Sequence, residues 1–344
     1  MVEAARRERS SWERAGEQWW SAVRLASSLG ELAVVREGVL KAVDSFRRGD
    51  VPRRLLEVSR EGQKLATSKA QIAMLRIYEL GAMVELGLLE DAGEIAEEVL
   101  DLAVDPYNRP FALDTVAGAW LVSGRIEAMR EMVAELEGGL GAAQVAARFR
   151  RGQLARLDGD LDGAEELFRS CIEGLRGHET GAGGAAAALT ELGSIMLLRR
   201  DWSEARGLFE EAEEEWSLAG RRSGQHQARG LGVRAMLGPG NVHLLSSGLN
   251  ESITFAVERG LRLLESELRL ARGLRRASVG EDGAEEDLNA AVYIAWESGA
   301  RIHAGRCRLE RRIAGFGESN DIARASRELM GDLPMLDRIR DLIE

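Results

Sequence analysis

The sequence predicts an all-α protein, a helical solenoid built from repeated helix pairs. Three observations lead to this fold class. Only five of the 344 residues are proline, and abundant Ala, Leu, Glu and Arg favour helix. Apolar residues recur at steps of three and four, as they do on one face of a helix. A unit of similar sequence also occurs several times, which is typical of a solenoid built from stacked helix pairs.

The clearest repeat is formed by GDLDGAEELFRSCIEGL at 159–175 and RDWSEARGLFEEAEEEW at 200–216. Each segment has an acidic start and an alanine that precedes an aromatic residue by four positions. The remaining apolar residues of each segment fall on the same stripe. Both segments are therefore predicted to be amphipathic helices.

Another amphipathic helix precedes each of these segments, at AAQVAARFRRGQLARLDG and at AAAALTELGSIMLLRRD. Each carries a glycine on its inner side, Gly152 in the first and Gly193 in the second. Because glycine has no side chain, the partner helix can approach closely at these points. Two further units of the same type are ELGLLEDAGEIAEEVL and the weaker VSGRIEAMREMVAEL.

A family resemblance follows from Leu192, Gly193, Ala205, Phe209 and Ala212 in one unit and Gly152, Gly159, Ala164, Phe168 and Cys171 in another. With this pattern the chain resembles the tetratricopeptide repeat family. The resemblance spans residues 31–330 and is clear over about half of them. It implies a right-handed superhelical solenoid of stacked antiparallel helix pairs, whose first helices line the concave surface. The slightly long units also resemble the sensor solenoids of bacterial signal-transduction and transcription regulators.

The individual elements follow in order. Residues 1–30 predict a leading helix that caps the first repeat, because the end of a solenoid needs a cover. Helix pairs are then expected at 31–66, 69–104, 109–138, 141–177 and 182–219, which together form a solenoid over 31–220. Trp12, Trp19 and Trp20 in the leading helix could alternatively dock a second copy of the chain and form a homo-oligomer.

The pattern changes after Gly220. The uncharged, breaker-rich stretch LGPGNVHLLSSGLNES predicts an irregular loop near 238–251 within a C-terminal helical subdomain at 221–344. We expect one long helix from Ser252 to about Ala277, an exposed acidic linker at SVGEDGAEED, and further helices up to Ser298, from Ala300 to Ala314 and after Ser319. Alternatively, the break is only a longer loop inside one continuous solenoid.

The charge balance argues against several classes of partner. Lys and Arg total 46 against 57 for Asp and Glu, so the net charge of -11 repels nucleic acid and anionic membranes. No uncharged run is apolar enough to span a bilayer, and the first twenty residues do not form a secretory signal. We therefore expect a cytoplasmic protein without direct nucleic-acid or membrane binding. The near absence of lysine suggests a bacterial origin.

Candidate contacts on the concave surface come from the first helices of the pairs. Trp120 lies late in such a helix, and other inner-stripe positions fall at helical spacing. These inner-stripe candidates are Phe149, Gln153, Arg156, Thr190, Ser194 and Leu197.

Arginines form two further stripes near the C-terminus. The first consists of Arg262, Arg269, Arg272 and Arg276, and the second of Arg301, Arg308 and Arg312. If the stripes face each other across a groove, their guanidinium groups form an anion-binding wall. The alternative is that Glu265, Glu267 and Glu310 pair with them on solvated faces.

No phosphate loop, dinucleotide fingerprint, zinc motif or nucleophile elbow is present in the sequence. We therefore expect a non-enzymatic interaction protein without cofactor or metal, which binds a peptide or protein segment on its concave face. A second hypothesis is a regulatory sensor that binds a small anionic ligand or signal peptide and transmits this to a partner protein. A third is an enzyme that uses carboxylates brought together from distant helices.

Overall fold

The computed structural model describes residues 2–175, 182–237, 247–317, 320–329, 332 and 334–337. All regular elements within these ranges are helical, and none of these helices is long and apolar enough to cross a membrane. The helices are α1 Val2–Leu29, α2 Leu32–Arg48, α3 Pro52–Leu65, α4 Lys69–Glu85, α5 Leu89–Leu102, α6 Asn108–Ser123, α7 Ile126–Glu137, α8 Ala142–Leu157, α9 Leu161–Leu175, α10 Ala182–Leu198, α11 Trp202–Leu218, α12 Arg222–Met236, α13 Ser247–Arg259, α14 Arg262–Val279, α15 Ala284–Glu297, α16 Arg301–Ile313 and α17 Asp321–Glu328, with a further turn of helix at 334–337.

The helices predicted between residues 31 and 219 are confirmed in number and position, since α2–α11 fill the five expected pairs. Short turns separate them, and several of these turns need a backbone conformation that glycine adopts readily. Gly87 between α4 and α5 has φ 71°, and Gly159 between α8 and α9 has φ 82°. The predicted leading helix is α1, and the three predicted helices after residue 284 are α15, α16 and α17.

Two predictions for residues 252–287 are wrong. The expected single long helix is divided into α13 and α14 by a turn at Gly260, which has φ 70°. The Leu261 amide donates to the Ala256 carbonyl at 2.9 Å and closes this turn. The expected exposed linker is mostly helix, because α14 continues to Val279 and α15 begins at Ala284. Of the irregular loop near 238–251, residues 238–246 lie outside the described ranges and 247–251 are already helical.

The helices pack against their neighbours in sequence order, as expected for an all-α solenoid. Each even-numbered helix from α2 to α14 also contacts the next even-numbered helix, so that the contacts run from α2 to α16. The even-numbered helices therefore form a continuous inner row. This row does not stop at residue 220, since α12 contacts α10, α11 and α14. A division into units at 31–220 and 221–344 stays a prediction.

The inner glycines allow close packing of helices within a pair. A Cβ atom at Gly152 would lie 2.8 Å from the ring of Phe168, and one at Gly193 would lie 2.7 Å from the ring of Phe209. Both distances are shorter than van der Waals contact, so no larger residue fits without movement. The close approach predicted from these glycines is confirmed.

The C-terminal helices return to the N-terminal ones. Helix α14 contacts α4, and α16 contacts α6. Asp50, in the turn after α2, binds the start of α12: its carboxylate accepts from the Ser223 amide at 3.0 Å, the Ser223 hydroxyl at 2.8 Å and Arg221 Nε at 3.0 Å. Arg221 also donates to Glu85. Asp50 thus acts as the N-terminal cap of a helix more than 170 positions further along the chain.

The N-terminal end of the array is partly apolar. Trp20 is buried in the core, while Leu25, Leu29 and Leu32 at the α1–α2 turn are 63%, 69% and 62% exposed. Trp12 and Trp19 are covered by the cationic groups of Arg48 and Lys41 at 5.0 and 4.5 Å. Association of a second copy at this end stays a prediction.

Candidate ligand-binding cavity

A cavity of about 810 Å³ opens on the inner row of helices. Five successive even-numbered helices, α8, α10, α12, α14 and α16, form most of its wall, and Met335 borders it near the C-terminus. Its polar lining consists of Arg156, Thr190, Glu191, Ser194, Arg199, Arg200, Gln227, Arg234, Glu267, Ser278, Arg306 and Glu310. Its apolar lining includes Leu197, Leu198, Trp202, Leu231, Leu237, Leu274, Ile313 and Met335.

Helical spacing places these side chains on the inner face. On α10, Thr190, Ser194 and Leu197 lie four and three residues apart, so they share one stripe. Leu231 and Arg234 on α12 have the same relation. Each even-numbered helix thus contributes side chains from one or two of its turns, and stacking of the helices brings these side chains together.

Arg234 holds two carboxylates in the wall. Its guanidinium donates to Glu267 at 3.0 Å and to Glu310 at 3.2 Å, and all three side chains are largely buried. Burial alone would raise the pKa of Glu267, but Arg234 and the other neighbouring cations outweigh it and lower the pKa to about 2. Glu267 is therefore ionised at neutral pH, and its charge is largely neutralised by Arg234.

Behind Glu267 lies a buried cluster of Ser266, His303 and Cys307. The Ser266 hydroxyl is 3.0 Å from His303 Nε2, and His303 Nδ1 is 3.6 Å from Glu267. Burial lowers the pKa of His303 to about 4 and raises the pKa of Cys307 to about 12, so the imidazole and the thiol are both neutral at pH 7. Ser266 has no exposed surface and also donates to the Ala291 carbonyl. Because a substrate could not reach the Ser266 hydroxyl in this arrangement, the cluster supports the cavity wall.

A second polar group lies at the α8 side of the cavity. Gln153 is nearly buried and donates to Glu191 at 2.6 Å, while Arg156 Nε lies 3.3 Å from the same carboxylate. This ion pair holds the Arg156 side chain at the edge of the cavity, which Arg156 and Glu191 both line.

The concave candidates divide into two groups. Arg156, Thr190, Ser194 and Leu197 line the cavity, as the inner stripe predicts. The others do not. Trp120 is 4% exposed and belongs to the main core, with Arg125 stacked over its ring at 4.4 Å.

Phe149 and Gln153 lie behind the surface rather than on it. Phe149 packs edge-on against Phe168 with ring centroids 5.6 Å apart. Gln153 is nearly buried and reaches the cavity only through Glu191. The inner stripe of α8 is therefore used mainly for packing between helices, and only Arg156 at its end reaches open space.

The two arginine stripes do not face each other across a groove. Asp287 on α15 accepts from Arg272 at 2.6 Å and from Arg276 at 2.9 Å, and it lies 3.5 Å from Arg269. Arg269 also donates to Glu265 at 2.8 Å, which confirms one pair of the alternative interpretation.

The second stripe and Arg262 lie elsewhere. Arg308 donates to Glu328 on α17, Arg262 lies beside Gly87 in the α4–α5 turn, and Arg312 is exposed. Arg301 and Arg308 line a separate cavity beside α17. The two stripes therefore do not combine into one wall across a groove, and four of their seven cations have carboxylate partners within the fold. Glu267 and Glu310 bind Arg234, which belongs to neither stripe.

Several cavity residues were missed from the sequence: Gln227, Arg234, Glu267, Arg306 and Glu310. They lie on α12, α14 and α16, the inner helices of the C-terminal part. The three- and four-residue spacing of inner positions continues beyond residue 220, and these residues could have been identified from it. The uncharged, breaker-rich sequence after residue 237 interrupts the repeat pattern, so this continuation was not recognised.

Among the described residues, no group of three or more His, Cys, Asp or Glu side chains is arranged to hold a metal ion. Comparison with protein-family models gives no match, and comparison with curated proteins gives no significant relative. The shape and lining of the cavity are therefore the observations that bear on function.

Proposed function

We propose that this chain is a tetratricopeptide-type solenoid, with antiparallel helix pairs in a right-handed superhelix, and that it binds a short protein segment in its interior cavity. The row of contacts between even-numbered helices and the glycine–phenylalanine contacts within pairs support the architecture. The observation that carries the function is the cavity of about 810 Å³ on the inner row.

The size of the cavity limits its occupant. Ligand pockets typically have volumes of about 300–1,000 Å³. This cavity falls in that range, so it accommodates a short segment and not a folded domain.

The lining indicates the chemistry of the segment. Leu197, Leu231, Leu274 and Ile313 offer apolar contacts, which suit aliphatic or aromatic anchors. Arg306 lines the cavity and makes no hydrogen bond or ion pair with any described residue. A segment with apolar side chains and one carboxylate therefore fits best, because an Arg pairs with a carboxylate in two parallel hydrogen bonds.

Selection from a random peptide library tests this proposal. The protein would be immobilised, and enriched peptides would be titrated against it and against Ser194→Trp, which places a large ring in the cavity. We expect the peptides to bind the unmodified protein and to lose most of their affinity for Ser194→Trp. Ser217→Trp, on an exposed position of α11, is the matched control and should bind normally. Equal binding to both variants would rule out the cavity as the site.

The contacts that close the array favour a second function, that of a sensor. A ligand in the cavity touches α12, α14 and α16, and the same helices carry the contacts to Asp50, α4 and α6. We infer that binding changes the contacts of α12, α14 and α16 with Asp50, α4 and α6, and that a partner protein recognises the altered surface. Small-angle scattering with and without a selected peptide tests this: a change in radius of gyration supports sensing, and an unchanged profile supports simple binding.

A further inference from the structure

A second cavity, of about 640 Å³, lies where α6 meets α15, α16 and α17. It is lined by Ser123, Gly124, Trp296, Arg301, Arg308, Arg324, Arg327 and Glu328. Four of these eight residues are arginines and one is acidic, in a chain whose net charge is -11. Such a concentration of positive charge in an acidic protein is not expected from composition.

Two arginines of this basic cavity have no carboxylate partner among the described residues. Glu328 accepts from Arg308 at 2.9 Å and thereby offsets the charge of that arginine. Arg301 and Arg327 are exposed and make no ion pair with any described residue. The fold therefore leaves an excess of positive charge at the mouth of the cavity.

Two of these arginines stack on the ring of Trp296. The tryptophan is 41% exposed, with the guanidinium of Arg301 at 4.3 Å and that of Arg308 at 5.4 Å from its ring. A guanidinium stacked on an aromatic ring keeps its edge donors free, since the attraction uses the face of the group. Stacking therefore holds Arg301 with its N–H groups available to a ligand.

We propose that this basic cavity binds the phosphoryl group of a small molecule. Planar guanidinium groups suit phosphate oxygens, and a phosphate monoester carries about -1.5 to -2 charge at pH 7. That charge complements the excess of arginine better than a single carboxylate does. The volume is sufficient for the phosphoryl group together with a small organic part. This site is separate from the interior cavity and does not depend on the function proposed for it.

Isothermal titration calorimetry at low ionic strength tests the proposal with the full chain. Inorganic phosphate, glycerol 1-phosphate and the dicarboxylate malonate are the three probes. We expect saturable binding of phosphate or its ester and at least about tenfold weaker binding of malonate. Tighter binding of the ester identifies an organic phosphate as the natural type of ligand, and tighter binding of phosphate identifies the free ion. Equal affinity for malonate would overturn the phosphoryl assignment.

Substitution locates the binding. Arg301→Gln with Arg327→Gln removes two exposed cations, and we expect at least about tenfold loss of phosphate affinity. Arg36→Gln with Arg312→Gln removes the same charge from exposed positions outside both cavities and should bind normally. Circular dichroism and thermal melting confirm that both proteins are folded. Unchanged phosphate affinity of the Arg301/Arg327 protein would contradict the proposed site.

Discussion

At the scale of single residues, the fold depends on a few positions where one helix touches the next through a glycine. Gly193 on α10 lies against the ring of Phe209 on α11, and Gly152 on α8 lies in the same way against Phe168 on α9. These residues were predictable from the sequence because each contact is local, between consecutive helices. The burial of Trp120 was not predictable, because it depends on neighbouring pairs of the array.

Gly193→Ala should destabilise the protein. The added methyl group would lie 2.7 Å from the Phe209 ring, and overpacking of a well-filled core costs about 1–3 kcal/mol. Gly207→Ala on α11 is the control, because a Cβ atom there meets nothing within 4 Å, and we expect it to stabilise by about 0.4–1 kcal/mol. Urea unfolding measures both. A Gly193→Ala protein as stable as the wild type would show that the close approach is not required.

The buried His303 predicts a pH dependence of stability. Its pKa is lowered by burial from 6.5 to about 4, so between these values the unfolded chain is protonated at His303 and the folded protein is not. Stability therefore falls as the pH decreases from about 6.5 toward 4, by about 1–3 kcal/mol. Glu267, whose folded pKa is about 2 against 4.5, contributes a further loss between 4.5 and 2.

Denaturant unfolding at several pH values checks this. His303→Gln should remove most of the loss between pH 6.5 and 4.5. If His303→Gln and the wild type lose the same stability between pH 6.5 and 4.5, the imidazole is not buried in the neutral form.

At the scale of elements, the positions of the helices were predictable and the roles of their charged faces were not. Periodicity and turn residues act within a few positions, so α2–α11 follow from the sequence. The turn at Gly260 was missed because a glycine inside a helical pattern is usually tolerated. The arginine stripe of α14 resembles a binding surface in the sequence, but three of its four arginines pair with Asp287 on the next helix, and Arg269 also pairs with Glu265.

Asp287→Ala should therefore be strongly destabilising. It leaves Arg269, Arg272 and Arg276 without their shared carboxylate, and removal of one partner of a buried pair costs about 3 kcal/mol or more. Asp282→Ala, at an exposed position in the preceding turn, should change stability by less than about 0.5 kcal/mol. Thermal unfolding of the two proteins measures the difference. Similar melting temperatures would mean that the three arginines are solvated and free to bind other anions.

At the scale of the whole molecule, the main feature is the return of the C-terminal helices to the N-terminal turns. The Asp50–Ser223 contact joins residues far apart in the chain, and no repeat pattern in one sequence specifies such a pair. The cavity depends on the C-terminal helices, because α12, α14 and α16 form part of its wall beyond the interruption of the repeat. For this reason Arg156 and Ser194 could be identified from the sequence, whereas Arg234 and Arg306 could not.

Asp50→Gly tests this closure. Asp50 has φ 51°, which glycine adopts without strain, so the substitution removes the carboxylate alone. We expect a loss of about 0.5–2 kcal/mol and faster amide exchange at the start of α12. Asp201→Gly removes the local cap of α11, where Asp201 accepts from the Glu204 amide at 3.2 Å, and should affect exchange only in α11. Unchanged exchange at Ser223 in the Asp50→Gly protein would contradict the long-range cap.

The central claim is that the interior cavity holds a protein segment, and photo-crosslinking tests it most directly. A photoreactive phenylalanine analogue would replace Ser194 in the cavity or, as control, Ser217 on the outer face of α11. A peptide selected for binding would be irradiated with each protein, and the products would be mapped by mass spectrometry. The account predicts a crosslink from position 194 that excess unlabelled peptide abolishes, and none from position 217. Crosslinking from position 217 alone would place the peptide outside the cavity and contradict the account.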